Sequence, residues 1–253
     1  MPAPRPPDWY LVSLRARGEH QALRRAAARH GGGLLALPPW RLQSRHDLDS
    51  RQALDRALQA PVLVFTSPAA VRAAAALHPL SPRTGQQWLA VGAGTAAALR
   101  RTGVAAVQSP GRMDSEGLLA LPALAGAVRV GLVTAPGGRD LLAGTLAARG
   151  TALERADVYE RVPLPLPATA VARLQALDAP ACLALSSEQA LQLVLAQLPA
   201  SATGVLRDAA VAAASERLAG VARTLGWKRI VVAASPRPAA LAAAAAQALA
   251  TKV

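Results

Sequence analysis

Val128-Arg-Val-Gly-Leu-Val-Thr134 runs through Gly137-Gly-Arg139 into the helical pattern Leu141–Arg149 and stops at Gly150. A short β-branched run, a glycine turn, an amphipathic stretch and a terminal glycine together read as one strand–turn–helix unit. Near the start, Asp8-Trp-Tyr-Leu-Val-Ser-Leu14 passes through Arg15–Gly18 into Gln21–Arg29 and stops at Gly31. The plan is the same. Two more pairs follow it. Val62-Leu-Val-Phe-Thr-Ser67 with the helix Ala69–Leu77 matches Ala181-Cys-Leu-Ala-Leu-Ser-Ser187 with Glu188–Leu198. Ala90-Val-Gly-Ala-Gly-Thr95, with a helix to Gly103, matches Ala210-Val-Ala-Ala-Ala-Ser215, with a helix to Gly226.

Three unit types, each present twice, predict an α/β fold of two similar parallel-sheet domains. One complete set lies in residues 38–163; the other is split between 1–37 and 164–253. The chain is therefore expected to leave the first domain, build the second and return, with a cleft between the two. Both crossings are proline-marked, at Pro38-Pro-Trp40 and Val162-Pro-Leu-Pro-Leu-Pro167, as connectors often are. Strands are expected at Trp9–Leu14, Leu34–Leu37, Val62–Thr66, Trp88–Gly92 and Ala105–Gln108. Five more are expected at Val128–Thr134, Ala152–Tyr159, Ala181–Leu185, Ala209–Ala213 and Arg229–Ala234. Gly31, Gly103, Gly150 and Gly226 suit left-handed helix ends.

A chain of 253 residues, 52% apolar, can bury one or two cores without disulfides. Its single cysteine, Cys182, fits a reducing compartment and reads as a small buried side chain. No signal peptide is expected in the proline-rich start, and the longest apolar run, Ala239–Ala246, falls short of the roughly 20 residues of a membrane span. A cytoplasmic protein, off the membrane and monomeric, is expected.

The net charge is +13, carried almost wholly by arginine, which grips carboxylate and phosphate with a two-pronged fork. A GC-rich coding bias would also write alanine and arginine heavily, so the composition has a bland reading too. Residues 1–37, 38–163 and 164–253 carry +4, +5 and +4. That even spread, without a basic run, argues against nucleic acid and for separate anchors of a polyanion.

The turns after the strands carry the hydrogen-bonding groups. Ser67 before Pro68, Thr95 in Gly92-Ala-Gly-Thr95, Arg139, the pair Ser186-Ser187, and Ser215 would stand at the carboxyl edges of the sheets. Such edges bind ligands in open parallel sheets, and helix N-termini there offer free N–H groups to anions. Each Ser or Thr taken singly reads equally as a structural cap. Ser115, in Asp114-Ser-Glu-Gly-Leu-Leu119, opens a helix after a long loop, and Tyr159 ends a strand just before the return crossing. A core or hinge role is the plain reading of that tyrosine. Gly92-Ala-Gly94 is a truncated dinucleotide signature without its third glycine or a following acid. His20, His30, His46 and His78 lack metal-ligand spacing, and no nucleophile elbow or triad appears. No cofactor or metal is implied.

Val64-Phe-Thr-Ser-Pro-Ala-Ala-Val71, Val91-Gly-Ala-Gly-Thr-Ala96, Asp114-Ser-Glu-Gly-Leu-Leu119, Gly137-Gly-Arg139, Val158-Tyr159 and Ala214-Ser-Glu-Arg-Leu-Ala219 follow one another in an order and spacing that resembles the uroporphyrinogen-III synthase family. The resemblance covers nearly the whole chain. It implies a cofactor-free lyase of tetrapyrrole (haem) biosynthesis that closes hydroxymethylbilane through a spiro intermediate, inverting the last pyrrole. A substrate with eight carboxylates then accounts for distributed anion anchors. The resemblance assigns substrate contacts to Arg15, Ser67, Thr95, Ser115, Arg139, Ser186, Ser187 and Ser215, and makes Tyr159 the candidate acid for the departing hydroxyl. Arg15 stands in Ser13-Leu-Arg-Ala16, where the family usually has Thr-Arg-Pro. A non-catalytic binder of a tetrapyrrole or other polycarboxylate is the alternative.

Overall fold

The computed structural model describes residues 7–112, 115–137 and 141–250. In chain order they form β1 (Trp9–Ser13), α1 (Gln21–Ala28), β2 (Gly32–Ala36), β3 (Trp40–Ser44), α2 (Leu48–Leu58), β4 (Val62–Phe65), α3 (Pro68–Leu77), β5 (Gln87–Ala90), α4 (Ala93–Arg101) and β6 (Val107–Gln108). There follow α5 (Ser115–Leu119), α6 (Pro122–Ala125), β7 (Arg129–Thr134), α7 (Leu141–Ala148), β8 (Ala152–Asp157) and β9 (Tyr159–Pro163). The last elements are α8 (Ala168–Gln175), β10 (Ala181–Leu185), α9 (Glu188–Leu195), α10 (Ala200–Asp208), β11 (Ala210–Ala213), α11 (Glu216–Thr224), β12 (Ile230–Val232) and α12 (Pro238–Ala250).

Residues Leu42–Arg161 make one compact unit, and the segments before and after them make the other. The split unit carries a sheet in the order β12-β11-β10-β1-β2, and the continuous unit one in the order β6-β5-β4-β7-β8. All strand pairs in both sheets are parallel. The repeat read from the sequence is laid out position for position: β1 sits where β7 sits, β10 where β4 sits, and β11 where β5 sits.

The continuous unit shows why its strands are apolar without a break. In β4, Leu63 and Phe65 face one core with Leu54 of α2, Val71 of α3 and Leu99 of α4. Val62 and Val64 face the opposite core, with Leu118, Leu124, Leu142 and Leu146. A strand buried on both faces needs apolar residues at every position. Phe65 stacks on Trp88 with ring centres 5.5 Å apart. In the split unit, Trp9 and Leu11 of β1, Cys182 and Ala184 of β10, and Ala210 and Ala212 of β11 pack against α1 and the alanine-rich α12. Small side chains on both surfaces let that helix lie close. Gly31, Gly103, Gly150 and Gly226 all have positive φ, as helix-ending glycines should.

Three strand expectations are corrected, and one strand lies where none was expected. Ala152–Tyr159 is not one strand. The Thr134 carbonyl accepts the Val158 N–H at 3.1 Å, but the Val158 carbonyl turns away to accept from Arg45 N–H at 3.0 Å. The chain exchanges β7 for β3 as its partner at that point. Trp40, expected to close the crossing Pro38-Pro-Trp40, instead opens strand β3, Trp40–Ser44, which pairs with β9 in a two-stranded ladder. Ala105–Gln108 shrinks to an edge strand with two paired residues, and Arg229–Ala234 shrinks to Ile230–Val232. No described helix is long and apolar enough to cross a membrane.

Candidate functional site

In the continuous unit the strand-end turns of β4, β5 and β7 are neighbours because their strands are. Ser67 caps α3: its backbone is extended, its Oγ accepts the Ala70 N–H at 3.0 Å, and Pro68 follows at the first helical position. Ser67 Oγ also lies 3.1 Å from the hydroxyl of Tyr159, which is otherwise buried among apolar residues. Thr66 donates its hydroxyl to Thr134 Oγ1 at 2.8 Å, tying the ends of β4 and β7. Thr95 is not a cap. Gly92 holds that place without a side-chain bond, and Thr95 is buried within the first turn of α4. Ser115 begins α5, partly buried. Arg139 lies outside the described residues.

In the split unit, β10 and β11 lead to Ser187 and Ser215, which accept the Ala190 and Leu218 N–H groups at 3.2 and 3.4 Å and so cap α9 and α11. Ser186 and Ser215 are exposed. Ser13 opposes Ala184 at the last pair of β1 and β10, and Arg15 and Ser186 each follow that pair by two residues. Thr134 and Thr66 hold the corresponding places in the other sheet, one residue beyond the Val133–Phe65 pair. Arg15 therefore stands at a strand end, as expected, with burial holding its pKa below the ordinary value against the opposing pull of Glu19.

Two features lie outside the sequence expectations. Glu188 and Arg217, in the first turns of α9 and α11, form a 2.6 Å ion pair across the edge of the split unit's sheet. Ser13 and His20 form a pair at the end of β1, Oγ to Nδ1 at 2.9 Å. A hydroxyl continuing the apolar face of Trp9 and Leu11 needs such a partner, and that requirement was the available clue.

A groove of about 720 Å³ in the continuous unit is lined by Arg45, His46, Asp47, Asp49, Arg155 and Glu160, with neighbouring residues. Its charges satisfy one another: Arg45 pairs with Glu160 at 3.3 Å and Arg155 with Asp157 at 3.1 Å. Asp47 is the α2 cap, and the Ser50 backbone N–H holds its carboxyl below the usual carboxylate range. None of the expected site residues lines this groove. Among the described residues no group of three or more His, Cys, Asp or Glu is placed to hold a metal ion.

The two sheet edges thus offer hydroxyls, helix N-termini and arginine, the equipment for gripping several carboxylates, together with one tyrosine tied to a cap. The chain is similar along 96% of its length to a mutant uroporphyrinogen III synthase from the extremely thermophilic bacterium Thermus thermophilus, with a TM-score of 0.65, 20% identity and 99% of that chain covered. It is similar along 97% of its length to uroporphyrinogen-III synthetase from Helicobacter pylori, with a TM-score of 0.61, 16% identity and 99% of that chain covered. At these identities the likeness is one of fold. The sequence model of the family described as uroporphyrinogen-III synthase HemD matches residues 21–243. That span takes in every strand-end turn described above except the one after β1, and the chain belongs to the uroporphyrinogen-III synthase family.

Proposed function

We propose that this chain closes hydroxymethylbilane to uroporphyrinogen III, with Tyr159 as the proton donor to the departing hydroxyl and Ser67 as the group that aims it. The observation that carries the assignment is the Ser67–Tyr159 hydrogen bond of 3.1 Å. Ser67 Oγ already accepts a backbone N–H. Its own proton is therefore free to go to the Tyr159 oxygen, which leaves the phenolic proton to be given elsewhere.

Donation of that proton to the substrate's hydroxyl lets the carbon–oxygen bond break and water leave. The pyrrole nitrogen lone pair drives the departure and leaves an azafulvenium cation, whose charge balances the phenolate and whose N–H proton is lost to give the azafulvene. The phenolate left behind is stabilised by the Ser67 hydroxyl and by the positive end of α3, which Ser67 caps. A phenol is a mediocre acid at neutral pH, so its contribution is modest. Most of the task is positioning. The linear substrate can close unassisted to the wrong isomer, and catalysis consists of holding its terminal rings where the last one inverts.

Anchoring of the carboxylates falls to Arg15, Ser186, Ser187 and Ser215 in the split unit, and to Thr95, Ser115 and Arg139 in the continuous one; Ser67 gives its proton to Tyr159 instead. On this reading the product feeds haem supply, and the enzyme works in the cytoplasm as a monomer, bound to neither nucleic acid nor membrane. Incubation with enzymatically generated hydroxymethylbilane, followed by separation of the isomers, tests it. The type III isomer should dominate; a mixture equal to that of spontaneous closure defeats the proposal.

A further inference from the structure

Ser13 is fully buried at the end of β1, and its hydroxyl meets the Nδ1 atom of His20 at 2.9 Å. The other ring nitrogen, His20 Nε2, is buried with no hydrogen-bond partner, and so is the Nε atom of Arg15. Among the described residues only one further side-chain atom, Trp88 Nε1, shares that condition. Leaving a buried polar atom unmatched is costly, and more so when the group is charged. Two such atoms near one strand end, one of them on a guanidinium, mark a place prepared for a partner of opposite character. The ring is close enough to Arg15 and Arg24 to feel both charges. Burial first, then those two arginines, push its pKa down to about 4, so it is neutral at physiological pH.

A neutral imidazole carries one proton. If Nδ1 accepts from the Ser13 hydroxyl, that proton is on Nε2, and the ring presents a donor on its unmatched side. We propose that Arg15 Nε–H and His20 Nε2–H are the two donors of one carboxylate subsite at the β1 edge, with Ser13 the positioning residue that holds the His20 ring by donating to Nδ1. The subsite rests on the function proposed above and adds two residues to it. A carboxylate entering there matches both donors and adds to Glu19 in offsetting the Arg15 charge, which neither a hydroxyl nor a cation could do. The opposite tautomer, with Nδ1–H donating to Ser13, would turn a lone pair toward the subsite and repel the same group. A proton position therefore decides between a subsite and none.

The test uses the whole chain labelled with ¹⁵N-histidine. The His20 ring signals, identified by their loss in His20→Asn, should show an Nε2–H tautomer in the free protein and should shift when uroporphyrinogen III is added anaerobically. In turnover of hydroxymethylbilane, His20→Asn keeps an amide for Ser13 but removes the Nε2 donor. It should raise KM about tenfold or more with little change in kcat. His20→Gln, which returns an N–H near the Nε2 position, should recover part of that loss. Arg15→Ala combined with His20→Asn should cost less than the product of the single effects, because both donors serve one carboxylate. An Nδ1–H tautomer overturns the subsite. So do ring signals that stay still while the type III isomer is made and product binds, or an unchanged KM in a folded His20→Asn. A wild-type chain that makes no excess of the type III isomer overturns the proposed function instead, and the subsite with it.

Discussion

Ser67 Oγ stands between the Ala70 N–H at 3.0 Å and the Tyr159 hydroxyl at 3.1 Å, so one small side chain both starts a helix and orients a phenol. These duties separate under mutation. Tyr159→Phe should lower kcat about tenfold to a hundredfold while the affinity for product changes less than about twofold, since under the proposed mechanism the lost group acts on the leaving hydroxyl alone. Steady-state rates beside product titration check this, and equal losses in both would reduce Tyr159 to an anchor. Cys182 gives a prediction of a different kind. It is wholly buried, and burial pushes its thiol up to about 12. At pH 8 a thiol reagent should therefore find no reactive group in the folded chain and one per chain in denaturant; rapid labelling of the native protein would contradict that burial. At this scale the caps were legible. A serine after an apolar run and before Pro68, Glu188 or Glu216 announces itself locally. The Ser67–Tyr159 bond was not legible, because its partners are 92 residues apart. Nor was Ser13–His20, which depends on the turn at Gly18, where φ is 87°.

Among the elements, β7 and α2 meet most tightly at Gly131. A Cβ there would run into the Ala57 carbonyl of α2 and the Leu63 side chain. Gly131→Ala should cost about 1–3 kcal/mol of stability, because a helix backbone has to retreat from the sheet. Gly144, inside α7, has open space around its would-be Cβ. Gly144→Ala should add about 0.5–1 kcal/mol through helix propensity. Denaturant titration of the two variants decides the matter, and similar shifts in both would remove the packing argument. Strand existence was readable at this scale because a doubly buried strand is apolar at every position, as Val62–Phe65 is. The break at Val158 was not. Val158 is as β-prone as its neighbours, and only the presence of β3 on the other side draws its carbonyl away. β3 itself, Trp-Arg-Leu-Gln-Ser after two prolines, has only Trp40 fully buried and offered little apolar signal.

For the molecule as a whole, the division of the chain sets what can fold alone. Leu42–Arg161 holds a complete five-stranded sheet with a core on each face. Expressed as a fragment, it should unfold cooperatively in denaturant and give a dispersed amide spectrum; a gradual, uncooperative transition would count against its independence. The split unit is different in kind. β1 lies between β10 and β2, so the N-terminal segment supplies two adjoining strands at one side of a sheet whose other three arrive more than a hundred residues later. Neither of its pieces should fold without the other.

By itself the sequence determined the unit types, their duplication and their order, since burial pattern, helix caps and turn glycines act within a few residues of chain. Tertiary structure alone decided which strand lies beside which, where β8 gives way to β9, and which buried polar atoms find partners. Those outcomes depend on hydrogen-bonding groups meeting across the fold, and a backbone or side-chain donor carries no local mark of the distant acceptor that will satisfy it.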